Sequence, residues 1–427
     1  MPSYPSLRIL LLSNGYGEDS VGALLGRALL ETSSTVLANA PTETVPNVPA
    51  DASNWPRAQQ GYRLELQAFP SVDRGEAYET LGIPILGPRR RMPSGGLLMH
   101  SPQLFWGDMR AGFPAMTWQQ LRDLQRIEAD AVLVIGDVYA LALSLRVPVS
   151  QRFYVQTLVS VHHQPPARRW SSRYFMEHFS ALERSLCRRF VRRMYLRDEA
   201  TADYLQRCGL QQACALGNPM LDGLQVSAQA WPLPPLPAPV VALLPGSRRY
   251  TPEALQMMLR VLEHWPQAHG LVAWTLERAA LPALAHWQRQ SPPADSRLLA
   301  HYQHRERPQQ VYVMREAFAE ILQRAQLVLG TAGTAHEQAA ALGLPVVSFA
   351  LPPHYSAAFL ANQQRLLADA LSLCPADPEA IAARLRYLWQ QPQVYAQASR
   401  CGQQRMGAAG GSRAIAEDVL EQLRQTL

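Results

Sequence analysis

Five prolines fall within nine residues, Trp231-Pro-Leu-Pro-Pro-Leu-Pro-Ala-Pro239, near the middle of this 427-residue chain. Proline lacks an amide hydrogen and fixes φ, so such a run sustains neither a helix nor a central strand and favours an extended, stiff connector. On its N-terminal side, apolar runs that read as strands (Arg8 to Leu12, Ala131 to Ile135, Arg152 to Val155) alternate with helix-like segments (Val21 to Leu30, Trp118 to Ile127, Ser180 to Phe190). On its C-terminal side the alternation begins again, with strands expected at Val240 to Leu244, Leu271 to Trp274, Leu327 to Leu329 and Val346 to Phe349. Helices are expected there at Glu253 to His264, Phe318 to Arg324 and Ala335 to Leu342. Alternation of this kind implies parallel sheets with crossover helices, an α/β chain of two Rossmann-like domains. The expected boundaries are an N-terminal domain over 1–228, a linker over 229–239, a second domain over 240–412 and an amphipathic C-terminal helix over 413–427.

Composition narrows the chemistry. All 40 basic residues are arginine, so Schiff-base, pyridoxal-phosphate and P-loop lysines are excluded. The five cysteines are widely spaced, with no Cys-x-x-Cys pair, which argues against a disulfide framework or a zinc ribbon and fits a reducing cytoplasm. No apolar run approaches the roughly 20 residues that span a bilayer. Nine arginines and two acids lie between Arg168 and Arg197, interleaved with Trp170, Tyr174, Phe175 and Phe190. That cluster reads either as a contact for phosphates or an anionic membrane surface, or as a solvated helix face whose Arg stems cover apolar surface. No nucleic-acid-binding motif accompanies it.

Two strand-to-helix turns of the second half have the composition of anion sites, because free amides and the positive helix end collect there. In Leu244-Pro-Gly-Ser-Arg-Arg249, Gly246 permits close backbone approach, Ser247 can donate a hydrogen bond and Arg248 can fork onto a diphosphate. In Gly330-Thr-Ala-Gly-Thr334, the small residues Thr331 and Gly333 leave room for a ligand and no acid stands before Glu337. Glu337 has two readings. It closes a capping box with Thr334, or it grips a vicinal diol as acids do for ribose in dinucleotide folds. Gln363 and Gln364 follow the next strand, where amides can reach sugar hydroxyls or simply coat a helix.

The first turn of the chain, Asn14-Gly15-Tyr16-Gly17-Glu18-Asp19-Ser20, has a serine where the third glycine of a dinucleotide fingerprint belongs. Glu18 and Asp19 suit a helix start but repel a pyrophosphate, so Asn14, Gly15 and Gly17 are assigned to the acceptor side. Asp137, at the carboxyl end of an expected strand, is either a general base or the N-cap of the following helix. His336-Glu337 begins like a zinc-protease helix, yet Ala340 occupies the second histidine position. No Asp-x-Asp pair is present, so the expectation is a site without metal, its leaving group neutralised by arginine and helix ends.

Together, Asn14-Gly-Tyr-Gly-Glu-Asp19, Asp108-Met-Arg-Ala-Gly112, Gly136-Asp137, Leu216-Gly-Asn-Pro-Met-Leu-Asp222, Leu244-Pro-Gly-Ser-Arg248 and Gly330-Thr-Ala-Gly-Thr-Ala-His-Glu-Gln338 resemble the lipid-A-disaccharide-synthase-related proteins of cyanobacteria and deinococci over nearly the whole chain. More distantly the chain is similar to lipid-A-disaccharide synthase and to the peptidoglycan N-acetylglucosaminyltransferase. That resemblance implies a GT-B fold, two Rossmann-like domains with parallel sheets facing a cleft. It also implies inverting transfer from a UDP-sugar, of the UDP-N-acetylglucosamine type, without a further cofactor. Gly246, Ser247 and Arg248 then lie near the diphosphate and Glu337 on the ribose, with Asp137, Glu18 or Asp19 as the base. The expected acceptor is a lipid or envelope component at the inner face of the cytoplasmic membrane. The stretch from Arg89 through Gly95 and Met99 to Trp106, which mixes charge with apolar residues, reads either as a lipid contact or as a mobile loop partly folded onto the core. The rival readings are a nucleotide-sugar epimerase of the same architecture and a nucleotide-sugar-binding protein without catalysis.

Overall fold

The computed structural model describes residues 6–15, 17–38, 63–90, 92, 102–163, 179, 181–224, 231–247, 250–292, 296–352 and 354–426. Arg248, Tyr16 and the stretches 93–101 and 164–178, with Trp170, Tyr174 and Phe175, lie outside the described residues. The chain divides into two compact units: residues 1–161, 166–223 and 409–427, and residues 162–165 and 224–408.

Unit 1 is built on six parallel strands, β1 Ser6–Ser13, β2 Arg63–Pro70, β3 Ala131–Gly136, β4 Gln151–Gln156, β5 Arg193–Leu196 and β6 Ala213–Ala215, in the order β2-β1-β3-β4-β5-β6. Alternate side chains of β1 enter opposite cores, as the two-residue period of a strand requires. Leu7, Ile9 and Leu11 pack with Leu25 and Leu29 of the helix Gly17–Ala38, and Leu10 and Leu12 pack with Val132, Leu141 and Leu205. Burial on both faces is why β1 and β3 read as unbroken apolar runs.

The C-terminal helix Gly411–Arg424 belongs to unit 1, where Ile415, Val419 and Leu423 join the core of the first helix. Its start is held by the Asn218-to-Asp222 segment. The Ser412 amide donates to Asp222 Oδ2 at 2.6 Å and the Gly410 amide donates to Oδ1. A Cβ on Gly411 would come within 2.6 Å of the Gly217 backbone, so only glycine fits. Asp418 then accepts from Tyr195 Oη at 2.7 Å and pairs with Arg193. One of the motifs behind the family resemblance is therefore spent on docking a helix.

Unit 2 carries β7 Val240–Leu244, β8 His269–Ala273, β9 Trp287–Gln290, β10 Leu298–His304, β11 Gln310–Met314, β12 Leu327–Gly330, β13 Val346–Phe349 and β14 Leu371–Cys374, in the order β14-β13-β12-β7-β8-β11-β10-β9. Six strands are parallel; β9 and β10 add an antiparallel edge. The proline run is not a free connector, because it belongs to unit 2. Leu233 is buried and the Trp231 ring lies under the Arg324 guanidinium, 4.1 Å from the ring centroid.

Both sheets reverse direction once. In unit 1 the chain leaves β1 toward β2 and returns on the other side as β3; in unit 2 it leaves β7 toward β8 and returns as β12. Loops diverge at the carboxyl ends of such neighbouring strands, and the crevice they leave is where open α/β sheets bind ligands. The four strand ends concerned carry Asn14, Asp137, Pro245 to Ser247, and Thr331 to Gly333.

Candidate functional site

At the unit 2 reversal the two glycine turns are stitched together. The Thr331 amide donates to Leu244 O at 3.0 Å, its hydroxyl donates to Pro245 O at 3.1 Å, and Tyr250 Oη donates to Thr331 O at 3.0 Å. Thr331 is fully buried, so it joins the two turns to each other. Gly246 has φ +90°, a left-handed conformation, and a Cβ there would approach Thr331 O to 3.3 Å. Ser247 and Thr334 are exposed.

The capping box expected of Thr334 and Glu337 does not form. The helix Thr334–Ala341 has Gly333 as its N-cap, with no side-chain cap. Glu337, half-buried in the first turn, therefore does not serve as a cap partner for Thr334. Gln363 is not helix surface either, being 5% exposed. Its Nε2 donates to Gly333 O at 2.9 Å, and its Oε1 lies 3.2 Å from His336 Nδ1. Gln364 is exposed and directs its amide to Leu371 O at 3.4 Å.

His336, which in the sequence opens an incomplete zinc motif, is fully buried beneath the turn. Burial pushes its pKa down to about 4, so the ring is neutral near pH 7. A Cβ on Gly330 would sit 2.3 Å from His336 Nε2, which ties that glycine to the ring. Beside Gly246, whose carbonyl accepts from Thr275 Oγ1 at 3.1 Å, opens a cavity of about 630 Å³. Residues following β8 (Ala273 to Arg278) and β11 (Met314 to Phe318) line it. Glu316 stands there at φ +51°, a sparsely populated conformation of the kind that clusters at binding sites.

The unit 1 reversal gathers carboxylates. The Asn14 amide donates to Ile135 O at 3.2 Å, tying β1 to β3, while its side-chain Oδ1 is buried with no hydrogen-bond partner. Gly15, at φ +120°, lies directly over Asp73, where a Cβ would come to 3.0 Å. Gly17 opens the first helix, with Glu18 and Asp19 in its first turn.

Asp19 is 3% exposed and accepts from Ser13 Oγ at 2.5 Å, which itself accepts from Tyr78 Oη at 2.9 Å. Burial, aided by the Asp73 charge, pushes Asp19 up to about 7 against the pull of Ser13 and the Gly75 and Gly15 amides. This enclosure makes Asp19 a brace between β1, the first helix and the Gly75 turn. Burial likewise raises Glu18 to about 7, with the Asp137 and Asp19 charges adding to it, while Thr157 Oγ1 lies 3.5 Å from Glu18 Oε1. Asp137 caps the helix Val138–Ser144, its Oδ1 accepting from the Tyr139 amide at 2.8 Å. Thr157, Asp73, Tyr78 and Ser13 were not anticipated. They come from three different strand ends and a short helix, and nothing local in the sequence links them.

No family model matches the chain, and no curated protein matches it. Solved structures do. CalG4, the calicheamicin glycosyltransferase, is 12% identical with a TM-score of 0.57 over 100% of both chains. The Staphylococcus aureus MnaA–UDP co-structure is 10% identical with a TM-score of 0.55, covering 98% of this chain and 97% of that one. The Neisseria meningitidis UDP-GlcNAc 2-epimerase bound to UDP-GlcNAc is 12% identical with a TM-score of 0.51, covering 97% and 100%. The fold is that of the GT-B proteins, which the glycosyltransferases and the epimerases among these structures share.

Proposed function

We propose that this chain is an inverting glycosyltransferase that takes the sugar of a UDP-sugar, unit 2 holding the nucleotide and unit 1 supplying the base. The observation that carries the reading is the unit 2 reversal. Two glycine turns free of acid until Glu337 are bonded to each other through Thr331, and Thr275, which donates to Gly246 O, lines a cavity of about 630 Å³, a size suited to a small ligand. Two of the similar structures are complexes with UDP and with UDP-GlcNAc, which supports the same ligand class here.

In this reading the acceptor hydroxyl loses its proton to Glu18 or Asp137, and its oxygen attacks the anomeric carbon as the bond from that carbon to the diphosphate breaks. A base near pKa 7 is matched to such a task, and Glu18 has been brought there by burial. Departing UDP is stabilised by the amides at the start of Thr334–Ala341 and by Arg248, with Glu337 on the ribose. No metal or further cofactor takes part in the proposed displacement.

A lipid or envelope acceptor at the inner membrane face is supported by exposed tryptophans and arginines of unit 1. Trp106 and Trp118 are 60% and 67% exposed, and Arg110, Arg122 and Arg126 are exposed near them in sequence. Among the described residues no helix is long and apolar enough to cross a membrane.

The epimerases among the similar structures favour a second reading, isomerisation of the donor without an acceptor. Incubation of the purified protein with UDP-sugars separates the two. UDP released only when a lipid acceptor is added supports transfer; an isomerised donor supports epimerisation. Tight UDP binding with no turnover by either route leaves a binding protein.

A further inference from the structure

Three successive carbonyls of the Thr331–Gly333 turn are each taken by a side chain of the protein interior. Tyr250 Oη donates to Thr331 O at 3.0 Å, Tyr355 Oη to Ala332 O at 2.9 Å and Gln363 Nε2 to Gly333 O at 2.9 Å. A trans peptide directs its N–H opposite to its C=O. Pinning the Ala332 and Gly333 carbonyls toward Tyr355 and Gln363 therefore turns the amides of Gly333 and Thr334 the other way. Among the described residues neither amide has an acceptor.

The amide before them is spent differently, since Ala332 N donates to His336 Nε2 at 3.4 Å. A neutral imidazole that accepts at Nε2 carries its proton on Nδ1, which donates to Gln363 Oε1 at 3.2 Å. Tyr355 Oη, whose one proton goes to Ala332 O, lies 3.3 Å from the same Oε1, so the ring, the amide and the phenol pack as one set beneath the turn. A charged imidazole would have no free acceptor at Nε2, and complete burial keeps the ring neutral.

We infer that His336, Gln363 and Tyr355 are positioning residues for the diphosphate, holding the carbonyls of the turn inward so that the amides of Gly333 and Thr334 meet the anion. The inference rests on the nucleotide reading of unit 2 and adds to it the parts that set the binding loop. If either peptide flips, a carbonyl oxygen replaces an N–H and repels the phosphate oxygens. Gln363 thus acts through the loop, with both ends of its amide engaged, while Gln364 remains the exposed amide of the pair.

The experiment measures binding of UDP and, separately, of inorganic pyrophosphate to the full-length wild-type protein and to His336→Ala, His336→Gln and Tyr355→Phe, by calorimetry, with thermal unfolding of each ligand-free protein alongside. Gln places its Oε1 near the imidazole Nε2 and can still accept from the Ala332 amide; Phe keeps the packing of Tyr355 and loses only the hydroxyl. Expected is a loss of about tenfold or more in affinity for both ligands in His336→Ala and Tyr355→Phe, with His336→Gln recovering most of it. Tyr355→Phe and His336→Ala that fold and bind both ligands like wild type overturn the inference. If His336→Ala does not fold, Tyr355→Phe alone decides. Wild-type protein that binds pyrophosphate but not UDP removes the nucleotide reading and leaves the loop assignment standing; binding of neither overturns both.

Discussion

The two chain reversals share a topological address and a backbone device but carry opposite electrostatics. Each has a glycine at positive φ just after its first strand, Gly15 at +120° and Gly246 at +90°. In unit 1 that turn is ringed by Glu18, Asp19, Asp73 and Asp137, where the Asp137 and Asp19 charges add to the raised proton affinity of Glu18 and the Asp73 charge to that of Asp19. In unit 2 the Pro245 to Ser247 turn carries no acid, and the Gly330 to Thr334 turn bonded to it has none before Glu337 and a neutral buried imidazole beneath it. The shared glycine gives the chain room for close approach, and the side chains decide what approaches. Clustered carboxylates take protons and exclude phosphate, whereas inward carbonyls and outward amides do the reverse.

The sharpest way to break this contrast is to remove proton chemistry from unit 1 and look for an effect on nucleotide binding. Glu18→Gln and Asp137→Asn should lower turnover by about 10²–10⁴-fold, the usual worth of a general base, for whichever residue fills that role. UDP affinity should stay as in wild type. Asn at 137 still accepts from the Tyr139 amide, so the helix cap survives and any rate loss belongs to the carboxylate. Transfer at wild-type rate in both variants removes the base from unit 1, and a parallel loss of UDP affinity removes the division of labour.

The converse change puts a carboxylate into unit 2. Thr334→Asp places an acid in the first turn of Thr334–Ala341, where the helix dipole favours it by about 0.3–1 kcal/mol. Thermal stability should hold or rise slightly while UDP affinity falls by about tenfold or more. Unchanged UDP affinity with raised stability means that no phosphate meets that helix end.

Much of this contrast was legible in the sequence because it is written at turns that follow apolar strands. β1, β3, β4, β7, β12 and β13 are buried on both faces and read as continuous runs, so Asn14 to Asp19, Asp137, Gly246 and Gly330 to Glu337 could be placed at their ends. β2 and the β9–β10 edge were missed. Residues such as Glu65, Gln67, Gln288 and Gln290 interrupt them, since an edge strand needs no second apolar face. The site partners were hidden for another reason. Asp73 and Thr157 reach the first turn from other strand ends and Tyr78 from a short helix, and Tyr355 and Gln363 reach theirs from beyond β13, so only tertiary contact reveals them. The capping box illustrates the opposite error, a local pattern of correct spacing at Thr334 and Glu337 that the helix start does not use.

The acidic turn should also show in the pH dependence of stability. Asp19 is raised from the ordinary 3.8 to about 7, and Glu18 from 4.5 to about 7, so folding favours their protonated forms. Their contribution is fully present below pH about 4 and is lost as pH rises through about 7, the window set by the unfolded and folded values. Asp19→Asn and Glu18→Gln should each flatten the fall in thermal midpoint between about pH 4 and 7. A fall of unchanged slope in both variants means that these carboxylates are already ionised in the folded protein. His336 in unit 2 works in the opposite sense: its contribution is present above about pH 6.5 and is lost as pH falls toward about 4, so each variant is read as a difference from wild type at the same pH.

The smallest stability change sharpens the nucleotide side of the comparison. Glu337→Ala removes a half-buried first-turn acid from a helix whose cap is Gly333, so the N-cap is kept and the thermal midpoint should fall by the dipole contribution, about 0.3–1 kcal/mol, together with the carboxylate's own contacts. UDP affinity, by contrast, should drop about tenfold, because a carboxylate paired to a ribose diol leaves two hydroxyls unsatisfied when it is removed. Calorimetry with UDP and with pyrophosphate resolves the assignment. A loss confined to UDP places Glu337 on the ribose, while equal losses for both ligands make it a support of the diphosphate turn. No loss for either, with stability lowered by more than the dipole allows, returns Glu337 to a structural role in the helix.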